Sequence, residues 1–229
     1  MVGIINTKEI KIWNKRIGRF GWIDFIDDLN VSKLLFETYE NWLKENGIYE
    51  SHGPIGFTDL DPEGMLIEGF NELGTPPMIY NYDYYPKHME EIGYIKDIDW
   101  LEFEVKVPEK IPEKILRINS IVTEKLGINI LEVKNSKKLK NFAYDIFEIL
   151  NESYTHLYGF VPLEKEQMEF YTKEYFDFII LDYVKIVVDR EKRPFGFLHL
   201  LYALNFPKRI DLYLVAIKKN FKTLALTHF

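Results

Sequence analysis

The sequence contains no cysteine, which removes disulfides, thiolate metal ligands and a thiol nucleophile from consideration. It also lacks any dense basic run, and 29 lysines and arginines against 36 aspartates and glutamates leave a formal charge of −7. A chain of that sign is a poor partner for phosphate backbones, so no nucleic acid is expected. No apolar run approaches the roughly 18–20 residues that cross a bilayer. The start, Met1-Val2-Gly3-Ile4-Ile5-Asn6-Thr7-Lys8, has neither the basic residues nor the apolar stretch of a secretory signal. The expectation is a soluble, cytoplasmic protein with no membrane partner. Glycine is missing after Gly196, and neither a Gly-x-Ser-x-Gly elbow nor a Walker-type phosphate loop occurs. What is present is ample for packed cores: 229 residues, 47% hydrophobic and 16% aromatic, enough for one large domain or two small ones.

Periodicity organises the chain. Arg19 to Asp27 alternates with both faces largely apolar, which predicts a strand covered on both sides. Asn30 offers an N-cap to a helix carrying Val31, Leu34, Leu35, Tyr39, Trp42 and Leu43 on one face, and Gly47 stops it. Residues 51–77, rich in Gly, Pro and Asp, read as a long loop after a short strand at 54–57. A helix is expected from Pro86 to Gly93, and a strand with one solvated face from Trp100 to Val107. Pro108 and Pro112 mark a linker, followed by a helix that places Ile115, Ile118 and Val122 together and ends at Gly127. The second half predicts a strand at 128–133, a long helix from Asn135 or Ser136 through Leu150, a helix at about 164–178 and a strand at 183–188. Leu198 to Leu204 is too apolar for a surface helix, and Arg209 to Ile217 reads as a buried strand. Helices alternating with strands in both halves indicate an α/β or α+β architecture.

Candidate chemistry is sparse. Asp59, Asp61, Glu63 and Gly64 match the opening of a calcium loop, but Phe70 stands where its bidentate glutamate belongs and Pro62 stiffens the turn. Two other readings stay open: a surface turn whose carboxylates satisfy loop amides, and a substrate-facing loop. The aromatic run Tyr80-Asn81-Tyr82-Asp83-Tyr84-Tyr85-Pro86 either lines a pocket or packs at a helix entry. Five scattered histidines, His52, His88, His156, His199 and His228, have no helical i, i+4 pair, so no metal is expected. Glu152, late on a long helix, is either a base or a cap.

These residues resemble a bacterial acyl-CoA N-acyltransferase-like group of the GCN5-related acetyltransferase superfamily, in which two such units stand in tandem. The likeness rests on Arg19-Phe20-Gly21-Trp22-Ile23-Asp24-Phe25-Ile26-Asp27-Asp28 with Leu34-Leu35-Phe36 and Trp42-Leu43, on the Gly53–Gly64 loop, on Tyr80–Pro86 and on Gly93-Tyr94. In the second half it rests on Asn151–Tyr154, Leu157–Pro162 and Asp211–Ile217. It implies two acyltransferase-like units with mixed sheets flanked by helices: an N-terminally incomplete unit at 1–108, a linking helix at 109–127 and a C-terminally incomplete unit at 128–229. The chain would then be a shortened member of the group.

The implied activity is acyl transfer from acetyl-CoA or another acyl-CoA to a small-molecule amine. Val215, Ala216 and Ile217 would make the cofactor contacts. Glu152 and Tyr158 are the candidate catalytic residues, and Asp59, Asp61 and Tyr82 would line the amine site. The superfamily follows its central strand with a Gly-rich loop that lets backbone amides converge on the cofactor diphosphate. Here that stretch is Lys218-Lys219-Asn220-Phe221-Lys222-Thr223-Leu224-Ala225-Leu226, which predicts a damaged cofactor site. The rival expectation is a non-catalytic remnant or interaction module that keeps the α/β core. An unpaired edge on the Arg209–Ile217 strand would also invite self-association.

Overall fold

The computed structural model of the chain describes residues 1–76, 78–202 and 209–221. Among them are two sheets flanked by helices in a mixed α/β architecture. The chain divides into two compact units. Met1–Phe103 and the short segment Gly159–Val161 form the first, and Glu104–Tyr158 with Pro162–Phe229 form the second.

In the first unit, β2 (Gly18–Gly21) is the middle strand, antiparallel to β1 (Val2–Ile4) and parallel to β3 (Ser51–His52). The parallel pair requires a crossover, supplied by α2 (Leu29–Glu45). All four residues of β2 are buried, as a strand apolar on both faces demands. The strand is shorter than its sequence pattern, because Trp22 adopts a φ of 44° and turns the chain out of the sheet. Phe25 then stacks on Tyr85 at 4.2 Å instead of continuing the ladder. The short strand expected at 54–57 is displaced to β3, and Ile55 contributes a single bond to the Phe20 carbonyl, at 2.8 Å.

Helix α1 (Thr7–Trp13) is capped by Asn6, whose side-chain oxygen accepts from Lys8 N and Glu9 N at 3.1 and 3.2 Å while its amide donates to the Phe57 carbonyl at 3.3 Å. Asn6→Ala removes both roles from a buried position and should cost about 1–2 kcal/mol in urea unfolding. Asp28, not Asn30, caps α2. The buried face of α2 is Ser32, Phe36, Tyr39 and Leu43, while Val31, Leu34 and Trp42 face outward. A hydrophobicity count misses this because the innermost residue of the first turn is a serine, 2.9 Å from His88 Nδ1 on α3 (Tyr84–Ile92). Phe20 meets Phe36, Tyr39 and Tyr94 edge-on at 5.2–5.8 Å at the centre of the core. The strand expected at 100–107 does not form. Leu101, Phe103, Val105 and Val107 are 73–90% exposed, since alternation specifies a face but cannot supply a neighbouring strand.

The second unit begins with the amphipathic helix α4 (Glu113–Leu126), ended by Gly127 at φ 62°. Its sheet runs β4 (Asn129–Leu131), β5 (Val184–Val188), β6 (Pro194–Tyr202), β7 (Ile210–Ile217), antiparallel throughout. The single long helix expected after Asn135 is two, α5 (Ser136–Lys140) and α6 (Ala143–Ser153), broken at Asn141–Phe142. Of the residues expected to face inward along that helix, Leu139, Ala143, Ile146, Ile149 and Leu150 are buried and Phe142 at the break is half-buried, while Phe147 joins them. Glu164 and Gln167 form a capping box that starts α7 (Lys165–Tyr175). Asp189-Arg190-Glu191-Lys192-Arg193 is a hairpin turn, closed by the Asp189 carboxylate accepting from Glu191 N and Arg193 N at 2.9 Å. Strand β7 is not buried: among the described residues it has β6 on one side only, and of its own residues only Ala216 is buried.

Candidate functional site

Arg19 lies on β2 within an apolar strand and is 1% exposed, so its charge must be met by protein. Its Nε donates to Glu9 Oε2 at 2.6 Å, Nη1 to the Gly56 carbonyl at 2.9 Å and Nη2 to the Gly159 carbonyl. The parallel register sets His52 opposite Arg19, and His52 Nε2 stands 3.2 Å from the second oxygen of Glu9. Burial opposes ionisation of Glu9. The hydrogen bonds from His52 and Arg19 overcome that penalty and hold its carboxyl below the usual range.

The 53–64 loop folds onto this pair. Gly64 N donates to the Pro54 carbonyl at 2.8 Å, and Asp61 Oδ2 accepts from Thr58 N and Thr58 Oγ1 at 2.8 and 3.3 Å. The packing tolerates no side chain at Gly56, where a Cβ would fall 2.1 Å from that of Asp61. The closed loop delivers Asp59 and Glu63 into the field of Arg19. Burial raises Asp59 to about 6 despite the pull of Arg19. Burial, then the neighbouring Asp59 charge, raises Glu63 to about 8. Two carboxyls whose affinities straddle neutral pH give one group ionised and one protonated, the disposition that acid–base chemistry requires. Among the described residues no group of three or more His, Asp or Glu side chains is arranged to hold a metal ion.

The sequence-derived candidates separate. Asp59 and Asp61 share the loop, but Asp61 is committed to its turn. Tyr82 stacks on Tyr84 at 5.6 Å on an exposed aromatic surface of the first unit. Tyr158 is half-buried in the turn that follows α6. Glu152 meets the end of β7 in the second unit, where Oε1 accepts from Lys219 N at 2.7 Å. The adjacent Ser153 Oγ donates to the Ile217 carbonyl at 2.8 Å, and Tyr154 Oη to the Val215 carbonyl at 3.3 Å. Lys218 N donates to the Phe195 carbonyl at 2.9 Å, and Phe221 stacks on Phe195 at 3.9 Å. These groups do not fit a coenzyme A diphosphate: the Lys218 and Lys219 amides are spent, a carboxylate holds the second, and the Phe221 ring lies against Phe195. Residues 222–226 of that stretch lie outside the described residues.

The chain is 29% identical over 206 residues to Protein YghO of Escherichia coli (strain K12), covering 88% of this chain and 51% of that protein. It is 26% identical over 236 aligned positions to a protein named bacterial ceramide synthase from Caulobacter vibrioides (strain NA1000 / CB15N), covering 90% and 59%. The chain thus spans a little over half the length of these curated relatives. No family model and no solved structure matches it. No described helix is long and apolar enough to cross a membrane.

Arg19 and Glu9 were not singled out by sequence reasoning, and Glu63 and His52 were weighed only as metal ligands. The available signal was an arginine inside a stretch apolar on both faces, a position that obliges a buried partner. A second polar group, Ser32–His88–Asp27, has the composition of a catalytic triad but not its order. His88 Nδ1 faces Ser32 and Nε2 lies 3.1 Å from Asp27, the reverse of the arrangement that activates a serine. Ser32 is fully buried and its hydroxyl donates to the Leu29 carbonyl, so this group joins α2 to α3.

Proposed function

We propose that the chain supplies the amine-accepting side of an N-acyltransferase that uses an acyl thioester, acyl-CoA by the family resemblance. The carrying observation is the closed 53–64 loop, held to the buried Arg19 through the Gly56 carbonyl, which sets Asp59 and Glu63 in the field of that guanidinium, and burial there raises both carboxyls. The likeness to a protein named bacterial ceramide synthase supports the reading, because a ceramide is an amide of a long-chain amino alcohol. An amine arrives as an ammonium ion and must lose a proton to expose its lone pair. Asp59, ionised at neutral pH, takes that proton, while Glu63 remains protonated and keeps the pair at a single negative charge. The free amine attacks the thioester carbonyl, and the C–N bond forms as the C–S bond breaks. The second ammonium proton leaves on the thiol.

The test incubates the full chain with a long-chain primary amino alcohol and an acyl-CoA and follows the amide by mass spectrometry. Amide formation above the uncatalysed background is expected. Absence of both amide and any amine-induced rise in melting temperature would refute the reading. A second reading, a non-catalytic module retaining the core, is favoured by the way Glu152 is committed to Lys219. It predicts amine binding without turnover.

A further inference from the structure

We infer that neither the turn from β2 into α2 nor the stretch that follows β7 receives the diphosphate of coenzyme A, because each is closed by a carboxylate of the chain itself, Asp28 in the first unit and Glu152 in the second. The inference rests on the acyl-transfer reading only in naming the donor; the closing contacts stand without it. A strand running into a helix start presents backbone N–H groups and a positive dipole end, the arrangement that ordinarily takes up a phosphate. Such a junction works only while its amides are unspent and its surroundings are not anionic.

At the first junction, β2 leads through residues 22–28 into the seventeen-residue α2. Asp28 Oδ1 accepts from Asn30 N and Asn30 Nδ2 at 2.9 and 3.2 Å, and the Asp28 carbonyl accepts from Val31 N and Ser32 N at 3.0 and 3.1 Å. Asp24 and Asp27 stand in the same turn, both exposed, and no lysine or arginine occurs from Gly21 to Ser32. Asp24 accepts from the Tyr85 hydroxyl and Asp27 faces His88. A diphosphate brought here would meet three carboxylates and no uncommitted cation of the turn. At the second junction the Lys219 amide is held by Glu152 at 2.7 Å, the Lys218 amide by Phe195, and Phe221 lies flat on the Phe195 ring. Opposite local charges, lysines here and aspartates there, reach the same outcome by the same means: a side-chain carboxylate accepts the amide that an incoming anion would need.

The decisive measurement is a titration of the isotopically labelled full chain with coenzyme A, read by calorimetry and by amide chemical shifts. Up to about 1 mM, where even weak specific binding registers, the Asn30 and Lys219 amides are expected to stay in place, whether or not heat is released by coenzyme A held elsewhere. Saturable binding that moves either amide overturns the inference. A second measurement tests the closing contact. Glu152→Ala, which removes the acceptor of the Lys219 amide, should displace that amide resonance while the Asn30 amide stays in place. An unmoved Lys219 amide in Glu152→Ala would also overturn it. If the amide-forming assay fails while coenzyme A still leaves both amides unmoved, the acyl-transfer reading falls and this inference stands.

Discussion

Arg19→Met is expected to lower the stability of the first unit by about 3–5 kcal/mol, because it strands a buried carboxylate. Glu9 is 2% exposed and relies on Arg19 at 2.6 Å to stay ionised. The substitution also withdraws donors from the carbonyls of Gly56 and Gly159. All four tryptophans, Trp13, Trp22, Trp42 and Trp100, belong to this unit, so urea unfolding followed by indole fluorescence reads it separately from the second. The double variant Glu9→Leu with Arg19→Met should recover much of the loss, since removing both members of a buried pair leaves no orphaned charge. A loss below about 1 kcal/mol for Arg19→Met, the range of an exposed pair, would contradict the burial described for it.

Asp59→Asn is expected to reduce amide formation by about 10²–10⁴-fold, the usual worth of a positioned proton acceptor. The wild-type rate should climb as pH passes about 6, where Asp59 ionises, and the variant should lose that rise. A rate in Asp59→Asn within a few-fold of wild type would remove Asp59 from the reaction.

The same pair imposes a pH dependence on stability. Glu63 holds its proton to about 8 in the folded chain against 4.5 ordinarily, and Asp59 to about 6 against 3.8. Between those values the folded state binds more protons than the unfolded state, so their contribution is full below the ordinary values and is lost as pH rises through the folded ones. Glu9, held low, acts in the opposite sense: its contribution is present above 4.5 and disappears as acid reaches its folded value. Glu63→Gln should therefore flatten the decline between pH 4.5 and about 8 and be more stable than wild type at the upper end. An unchanged slope in thermal melts across that range would show that Glu63 is solvated.

Punctuation by glycine was the most legible part of the fold. Gly47, Gly93 and Gly127 stop or follow helices with φ of 69°, 106° and 62°, conformations that other residues adopt only under strain. Capping was legible to within two residues, Asp28 doing what Asn30 was expected to do. Illegible features were those decided by distant chain. Trp22 leaves the strand because Phe25 finds the rings of α3. Ser32 faces inward because His88 awaits it, and residues 101–107 stay out of a sheet because no described strand lies alongside them. For the site, the carboxylates of the 53–64 loop were visible as a cluster, but their elevated affinities come from burial beside an arginine more than thirty residues earlier. Arg19 and His52 meet through strand register and Glu9 reaches them from α1, a convergence that no local pattern encodes.

The three-residue patch Gly159–Val161 gives the first unit an unusual dependence on synthesis. Arg19 needs the Gly159 carbonyl, and Trp13 Nε1 donates to the Phe160 carbonyl at 3.1 Å. A nascent chain cannot complete its leading unit until residue 161 has cleared the ribosome, by which time most of α4 through α6 of the trailing unit is already available to fold. Cutting the gene after Phe103 would thus yield a fragment missing two of its own hydrogen-bond acceptors, which a peptide spanning 159–161 added in trans could only partly replace.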